Sequence, residues 1–460
     1  MPEHRLWAPR AWIGGRWENA VLLGVDARGH WSQVQTGVTL PPSDARQLPG
    51  PVLPGLVDAH SHAFQRAFAG LSERRATDAD DFWSWRDRMY QVAQRITPEQ
   101  MQAVAAHLQV ELLRGGYTQV CEFHYLHHGP QGQPLADRAR MCQALAAAAS
   151  LSGIGLTVLP VLYERAGFAQ PALRDDQRRF SSTPGLVHQL MRDMQGLGQP
   201  LVNAGVAIHS LRAASASAIT ELLWQVGDAD VPIHIHVAEQ TQEVDDCLAA
   251  TGRRPIELLC RDFAPDARWQ LVHATHTIPA EVDAVAATGA GIVVCPGTEA
   301  NLGDGFCDLP AWLRAGVPMA IGSDSHVTRN WPEELRWLEY GQRLQRRQRN
   351  VAAAPPREPA TAARLWQAAL AAGGRAAGQP VWGIAPGARA DLLVLDERAP
   401  ALLGIAPSHL LDALVFTGAE PHWREVLVAG TTVLRDGRHA DQDAISARFA
   451  DVMDTLWSGL

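Results

Sequence analysis

Eight short apolar runs alternate with helical patterning between residues 53 and 322, and no other feature of the chain constrains its fold as strongly. The runs are the one entering His60, then 118–123, 155–162, 204–209, 232–238, 269–273, 291–295 and 317–322. Each has strand length, and helical stretches such as 97–114, 280–288 and 309–315 stand between them. The stretch 97–114 carries its own start signal. Thr97, Pro98 and Gln100 offer an N-cap, a first-turn proline and a capping-box partner, and Met101, Val104, Ala105, Leu108 and Leu112 form an apolar stripe that ends at Gly115 and Gly116. Eight strands alternating with helices predict an α/β fold, a (β/α)8 TIM-like barrel. A doubly wound sheet is the alternative, but no glycine-rich phosphate fingerprint follows the first strand.

The flanks read differently. Residues 1–52 contain strands at 11–17 and 20–25 punctuated by Gly14, Gly15 and Gly29, and apolar strands return at 390–396, 413–416 and 425–434. The sequence thus predicts a small β-sandwich domain built from both chain termini, residues 1–52 and 385–442. It places the barrel at 53–384 and a C-terminal helix at 443–460.

Composition narrows the function. A formal charge of -9 does not suit non-specific nucleic-acid binding, and Arg343, Arg346, Arg347 and Arg349 have the helical spacing of a solvated face. The most apolar region, 141–162, is broken by Ser152, Gly153, Gly155 and Pro160, so it reads as helix then strand and not as a membrane span. No charged-then-apolar leader opens the chain, and six scattered cysteines lack close pairs; the expectation is a cytoplasmic protein with reduced thiols.

Barrel chemistry sits at the carboxyl ends of the strands. The first run delivers His60 and His62, which alternation points the same way, and paired neutral imidazoles suit a divalent cation such as zinc. Strand five ends in His234, His236 and Glu239, strand six in His273 and His276, and strand eight in Asp324. Singly, each fits a hydrogen-bonded core histidine or a capping aspartate. Their recurrence at the ends of four of the eight strands strains that reading.

The set His60-x-His62, His236-x-x-Glu239, His273 and Ser323-Asp324 resembles the amidohydrolase superfamily, in particular its metal-dependent deaminases, over nearly all 460 residues. The resemblance implies a barrel with a flanking β-domain from both chain ends, metal ligands His60, His62, His236 and Asp324, and a homodimer. Members with two metals commonly bridge them with a carboxylated lysine on strand four. All 40 basic residues here are arginine, and strand four (AGVAIHSLR) offers no carboxylate, so a single divalent ion is expected, Zn2+ or, with the same donors, Fe2+.

Within the superfamily, the segments HSHAFQRAFAGL, FWSWRDRMY, EFHYLHH and IHSLRA resemble the family of deiminases acting on N-formimidoyl-L-glutamate more than guanine, cytosine or S-adenosylhomocysteine deaminases. The implied reaction is hydrolytic deamination to N-formyl-L-glutamate and ammonia in histidine degradation. A small dicarboxylate substrate needs guanidinium forks. Arg86 and Arg212 are expected to supply them, with Gln65, Tyr125 and His209 adding donors. Glu239 is expected to shuttle the proton, His273 to orient or polarise the imine, and Asp324 to serve as both ligand and base. The alternatives are another deaminase or chlorohydrolase of the superfamily, and a non-catalytic amidohydrolase-like scaffold.

Overall fold

In the computed structural model, which describes residues 3–73, 82–418 and 423–458 without the side chains of 82–84 and 87, the eight predicted runs form one parallel sheet that curls almost shut. The barrel strands are Leu56–Ser61, Tyr117–His124, Gly155–Leu162, Val206–Ile208, Ile233–Val237, Trp269–His273, Gly291–Val294 and Met319–Ile321, each bonded to the next. Gly205 interrupts the fourth, separating Val202–Ala204 from Val206–Ile208. A side chain there would meet the Pro232 carbonyl oxygen at 2.3 Å, so glycine is what lets strands four and five approach.

The first and last strands meet at a seam. Ser61 and Asp324 form a parallel bridge, the Asp324 amide donates to the His60 carbonyl at 2.9 Å, and the His62 amide donates to the Asp324 carbonyl at 3.3 Å. Gly322 permits the contact, because a β-carbon there would lie 2.7 Å from that of His60. A doubly wound sheet keeps two open edges, and here the edges touch.

Helices cover the outside. Pro98–Arg114 starts as the sequence predicts: the Gln100 amide donates to Thr97 Oγ1 at 3.2 Å and the Thr97 amide to Gln100 Oε1 at 3.0 Å. Its predicted stripe is buried in the core that surrounds the barrel. At about 1.5–3 kcal/mol per buried large aliphatic side chain, that stripe fixes the helix against the sheet. The end of helix Thr361–Ala376 plugs the barrel's amino end. The Ala376 carbonyl accepts from His234 Nε2 at 2.8 Å, and the Ala377 carbonyl accepts from Thr157 Oγ1 at 3.0 Å and Asn203 Nδ2 at 2.7 Å. Access for ligands is left to the carboxyl end.

The described terminal segments join in a nine-stranded mixed sheet, where Val52–Pro54 lies between His4–Ile13 and Leu392–Leu395. Leu6, Val21, Leu23, Val394 and Leu427 belong to its separate small core. Val52–Pro54 runs through Gly55 straight into the first barrel strand, so this sheet anchors the strand carrying His60.

Three local expectations change. The run 11–17 is split into His4–Ile13 and Arg16–Val25 by a hairpin whose Gly14 and Gly15 both have positive φ (57° and 89°). The run 425–434 is likewise two strands, Trp423–Val428 and Thr431–Arg435, turned by Ala429 and Gly430 at φ 48° and 76°, the left-handed pair a two-residue hairpin demands. The stretch 413–416 is the end of helix Leu410–Phe416; its leucines and alanine are good helix formers, and four apolar residues carry no usable period. Among the described residues no helix is long and apolar enough to cross a membrane, and all six cysteines are unpaired.

Candidate metal centre and substrate pocket

Strand alternation places His60 on the same face as Asp58, and His62 follows just past the strand's end. His60 Nε2 lies 3.1 Å from His62 Nε2 and 2.9 Å from His236 Nε2. Asp324 Oδ1 lies 3.4 Å from His62 Nε2 and 3.7 Å from His60 Nε2. All four side chains are buried. The His62 Nδ1 donates to the Phe123 carbonyl at 2.9 Å, which fixes the tautomer and leaves Nε2 as a lone pair facing the others. The His236 ring stacks on Phe123 with centroids 4.3 Å apart. His234, two residues earlier, sits one layer deeper on the plug.

Burial, reinforced by the neighbouring rings, holds His60 and His236 far below the usual imidazole range, and burial takes His62 to about 3. The Nε2 atoms of three buried neutral rings converge on one point beside a carboxylate oxygen, with the His62 lone pair aimed at it. A divalent cation there would take up the converging donors together. Three imidazole nitrogens and a carboxylate oxygen are the donors of a catalytic zinc-type site, where nitrogens about 2.0–2.1 Å from one ion stand about 3.3 Å apart. The residues present therefore fit a metal. Cys295 also lies near His273 and Asp324, but burial pushes its thiol well up and keeps it from being a thiolate.

Beside the cluster stand further titratable groups. His273 Nε2 faces Glu239 Oε1 at 3.7 Å and Asp324 Oδ2 at 3.8 Å, while its Nδ1 is 3.4 Å from Glu299 Oε1. Burial opposes charge on His273, yet Glu239, the Glu299 hydrogen bond and Asp324 outweigh it and raise the ring to about 10. Burial likewise lifts Asp324 to about 7, only partly offset by His273. A cation next to these groups pulls both values down.

The turns carrying these side chains are strained. Ala238, His273 and Asp324 have φ of 53°, 71° and 50°, a left-handed backbone that costs about 1–2 kcal/mol per non-glycine residue. Buried hydrogen bonds hold them. The Glu243 carboxylate accepts the Ala238 amide at 3.2 Å and the Glu239 amide at 3.0 Å, and the seam bond from the Asp324 amide does the same for strand eight. Behind the seam, Asp58 accepts the Ser323 amide at 2.8 Å and hydroxyl at 2.5 Å. Glu122 accepts Ser61 Oγ and the Ala63 amide, each at 2.7 Å. These two side chains brace the strands that carry the histidine and aspartate cluster.

A single cavity at the carboxyl end brings His62, His236, Glu239, His273 and Asp324 together with Gln65, Arg86, Tyr125, His209 and Arg212. Gln65 Nε2 donates to Tyr125 Oη at 3.2 Å. Burial, then Arg212, keeps His209 neutral, and its ring packs edge-on to Tyr163 at 4.4 Å. The Arg86 guanidinium lies 5.6 Å over the Tyr90 ring. Burial opposes charge on Arg212, but Tyr163 and Glu243 more than compensate. The sequence reading did not single out Tyr90, Tyr163, Phe180 or Leu302, which line the same cavity, or Glu299. Two signals were available: Tyr90 is four residues from Arg86 on one helix, and Tyr163 is the first residue past the third strand.

Comparison with known proteins gives concordant matches. Residues 52–433 match the family described as "Amidohydrolase family". The chain is 44% identical over 455 residues to formimidoylglutamate deiminase of Pseudomonas aeruginosa, covering 98% of this chain and 99% of that one. It is 27% identical to 5-methylthioadenosine/S-adenosylhomocysteine deaminase of Natronomonas pharaonis, over 85% and 83% of the two chains. Among solved structures, an amidohydrolase from Brucella melitensis superposes with a TM-score of 0.93 at 40% identity, covering 99% of this chain and 100% of that one.

Proposed function

This chain belongs to the amidohydrolase family, and from that premise we propose that it hydrolyses the formimidoyl C–N bond of N-formimidoyl-L-glutamate, giving N-formyl-L-glutamate and ammonia in histidine degradation. The observation that carries the reading is one hollow in which two guanidiniums, Arg86 and Arg212, share space with the imidazole and carboxylate cluster. A diacid bearing an amidine needs both. A nucleobase has no use for two guanidiniums in its pocket.

In this reading His60, His62, His236 and Asp324 hold one divalent ion, which we assign as zinc, with ferrous iron served by the same donors. The ion supplies Lewis acidity, which brings the pKa of water from about 16 to near 7. Every other task falls to the protein. Glu239 takes the proton that water gives up and passes it to the departing nitrogen, because an amidine nitrogen leaves as ammonia only when protonated. His273, held through Nδ1 by Glu299, presents Nε2 to the imine and to Glu239, orienting the one and steadying charge on the other. Arg86 and Arg212 clamp the carboxylates, with Gln65, Tyr125 and His209 completing the shell. Six unpaired thiols suit the cytoplasm, where they stay reduced.

The decisive experiment is incubation of purified, metal-quantified protein with N-formimidoyl-L-glutamate, followed by mass identification of the product. Ammonia with N-formyl-L-glutamate is expected. Release from S-adenosylhomocysteine or guanine instead would overturn the substrate assignment. Arg212→Ala should raise KM about tenfold or more, the loss of a charge-assisted hydrogen bond, with a smaller effect on kcat. An unchanged KM would remove Arg212 from the clamp.

A further inference from the structure

Gln177 is fully buried in the 3-10 turn Asp175–Phe180, and its carboxamide has one possible orientation. The Arg174 amide donates to Gln177 Oε1 at 3.1 Å, so the NH2 group faces away from that contact. There it donates to two phenols at once, Tyr90 Oη at 3.2 Å and Tyr163 Oη at 2.9 Å. Each hydroxyl is thereby an acceptor toward Gln177 and keeps one proton to give elsewhere. Among the described residues neither hydroxyl has a hydrogen bond other than the one from Gln177. Both tyrosines are buried, and burial holds the Tyr90 hydroxyl well above its usual range, so that proton stays on.

Both tyrosines line the substrate cavity, as do Arg86 and Arg212, and that cavity is the space available to those protons. A buried O–H donor without an acceptor is costly, and a group accepting from it there recovers that cost.

We propose that Tyr90 and Tyr163 are specificity-determining donors to a substrate carboxylate, and that Gln177 is the positioning residue that turns both hydroxyl protons into the cavity. This rests on the diacid reading given above. A carboxylate drawn in by the guanidiniums can accept from both phenols. A carboxamide in its place would set N–H against O–H and N–H donors and be refused, the kind of discrimination that buried polar groups achieve best.

The test uses the metal-loaded wild-type enzyme first. No turnover of N-formimidoyl-L-glutamate overturns the functional reading and this proposal with it. With wild type active, Tyr90→Phe and Tyr163→Phe keep both rings and should each raise KM about tenfold, with kcat nearly unchanged. Gln177→Glu exchanges the donor for an acceptor and draws both phenol protons out of the cavity, so KM should rise further. In a Tyr90→Phe/Tyr163→Phe background that added rise should vanish, because the residue acts through the two hydroxyls. Unchanged KM in both single phenylalanine variants overturns the proposal. So does a Gln177→Glu effect that persists in full without the hydroxyls, which would mark plain charge repulsion or packing.

Discussion

Glu239→Gln is expected to lower kcat by about a hundredfold or more while metal content, fold and KM stay close to wild type. Glutamine keeps the shape and a hydrogen-bonding oxygen but cannot carry a proton between two atoms. The surroundings make this a clean substitution. Residue 239 is set by its own backbone, since the Glu243 carboxylate grips the amides of 238 and 239, so the new side chain starts from the same place. Its contact with His273 Nε2, 3.7 Å away, is polar and tolerates an amide. Steady-state kinetics with metal analysis checks the outcome. Turnover within a few-fold of wild type would assign the proton transfer elsewhere, with Asp324 next in line.

The other large effect is expected from His236→Ala, set against His234→Ala as its control. Both side chains come from one strand, two residues apart, yet their surroundings differ. Loss of an outer hydrogen-bond partner of a metal ligand costs about 10–100-fold in metal affinity, and loss of a ligand itself should exceed that. His236→Ala should therefore purify with little metal and little activity. His234→Ala should bind metal normally and lose about 1–2 kcal/mol of stability, because its Nε2 serves only the Ala376 carbonyl at the plug. Metal stoichiometry and thermal melts separate the two. Equal metal loss in both would show that the plug, and not His236, shapes the centre.

This pair also marks what a sequence can and cannot disclose. Period-two alternation puts 234 and 236 on the same face, but depth along the barrel axis is a tertiary fact, settled only when the helix end at 376 rises to meet residue 234. The eight strands were legible because each is a buried apolar run closed by glycine or a polar turn, and the turn at Ala429–Gly430 escaped notice because alanine is a poor signal for left-handed backbone. The His-x-His pair announced itself by spacing. Glu299 and Gln177 could not, since their partners lie 26 residues away and across two elements respectively, and a lone polar residue in a short helix or turn reads as solvated until the structure buries it.

The seam between the first and last strands has a consequence for how the protein matures. His60 and His62 stand on one side of it and Asp324 on the other, so during synthesis a nascent chain displays half of the cradle long before the other half leaves the ribosome. Because Asp324 reaches the histidines only across this closure, with Gly322 packed against His60, a chain that stops short of residue 324 cannot gather all four side chains in one place.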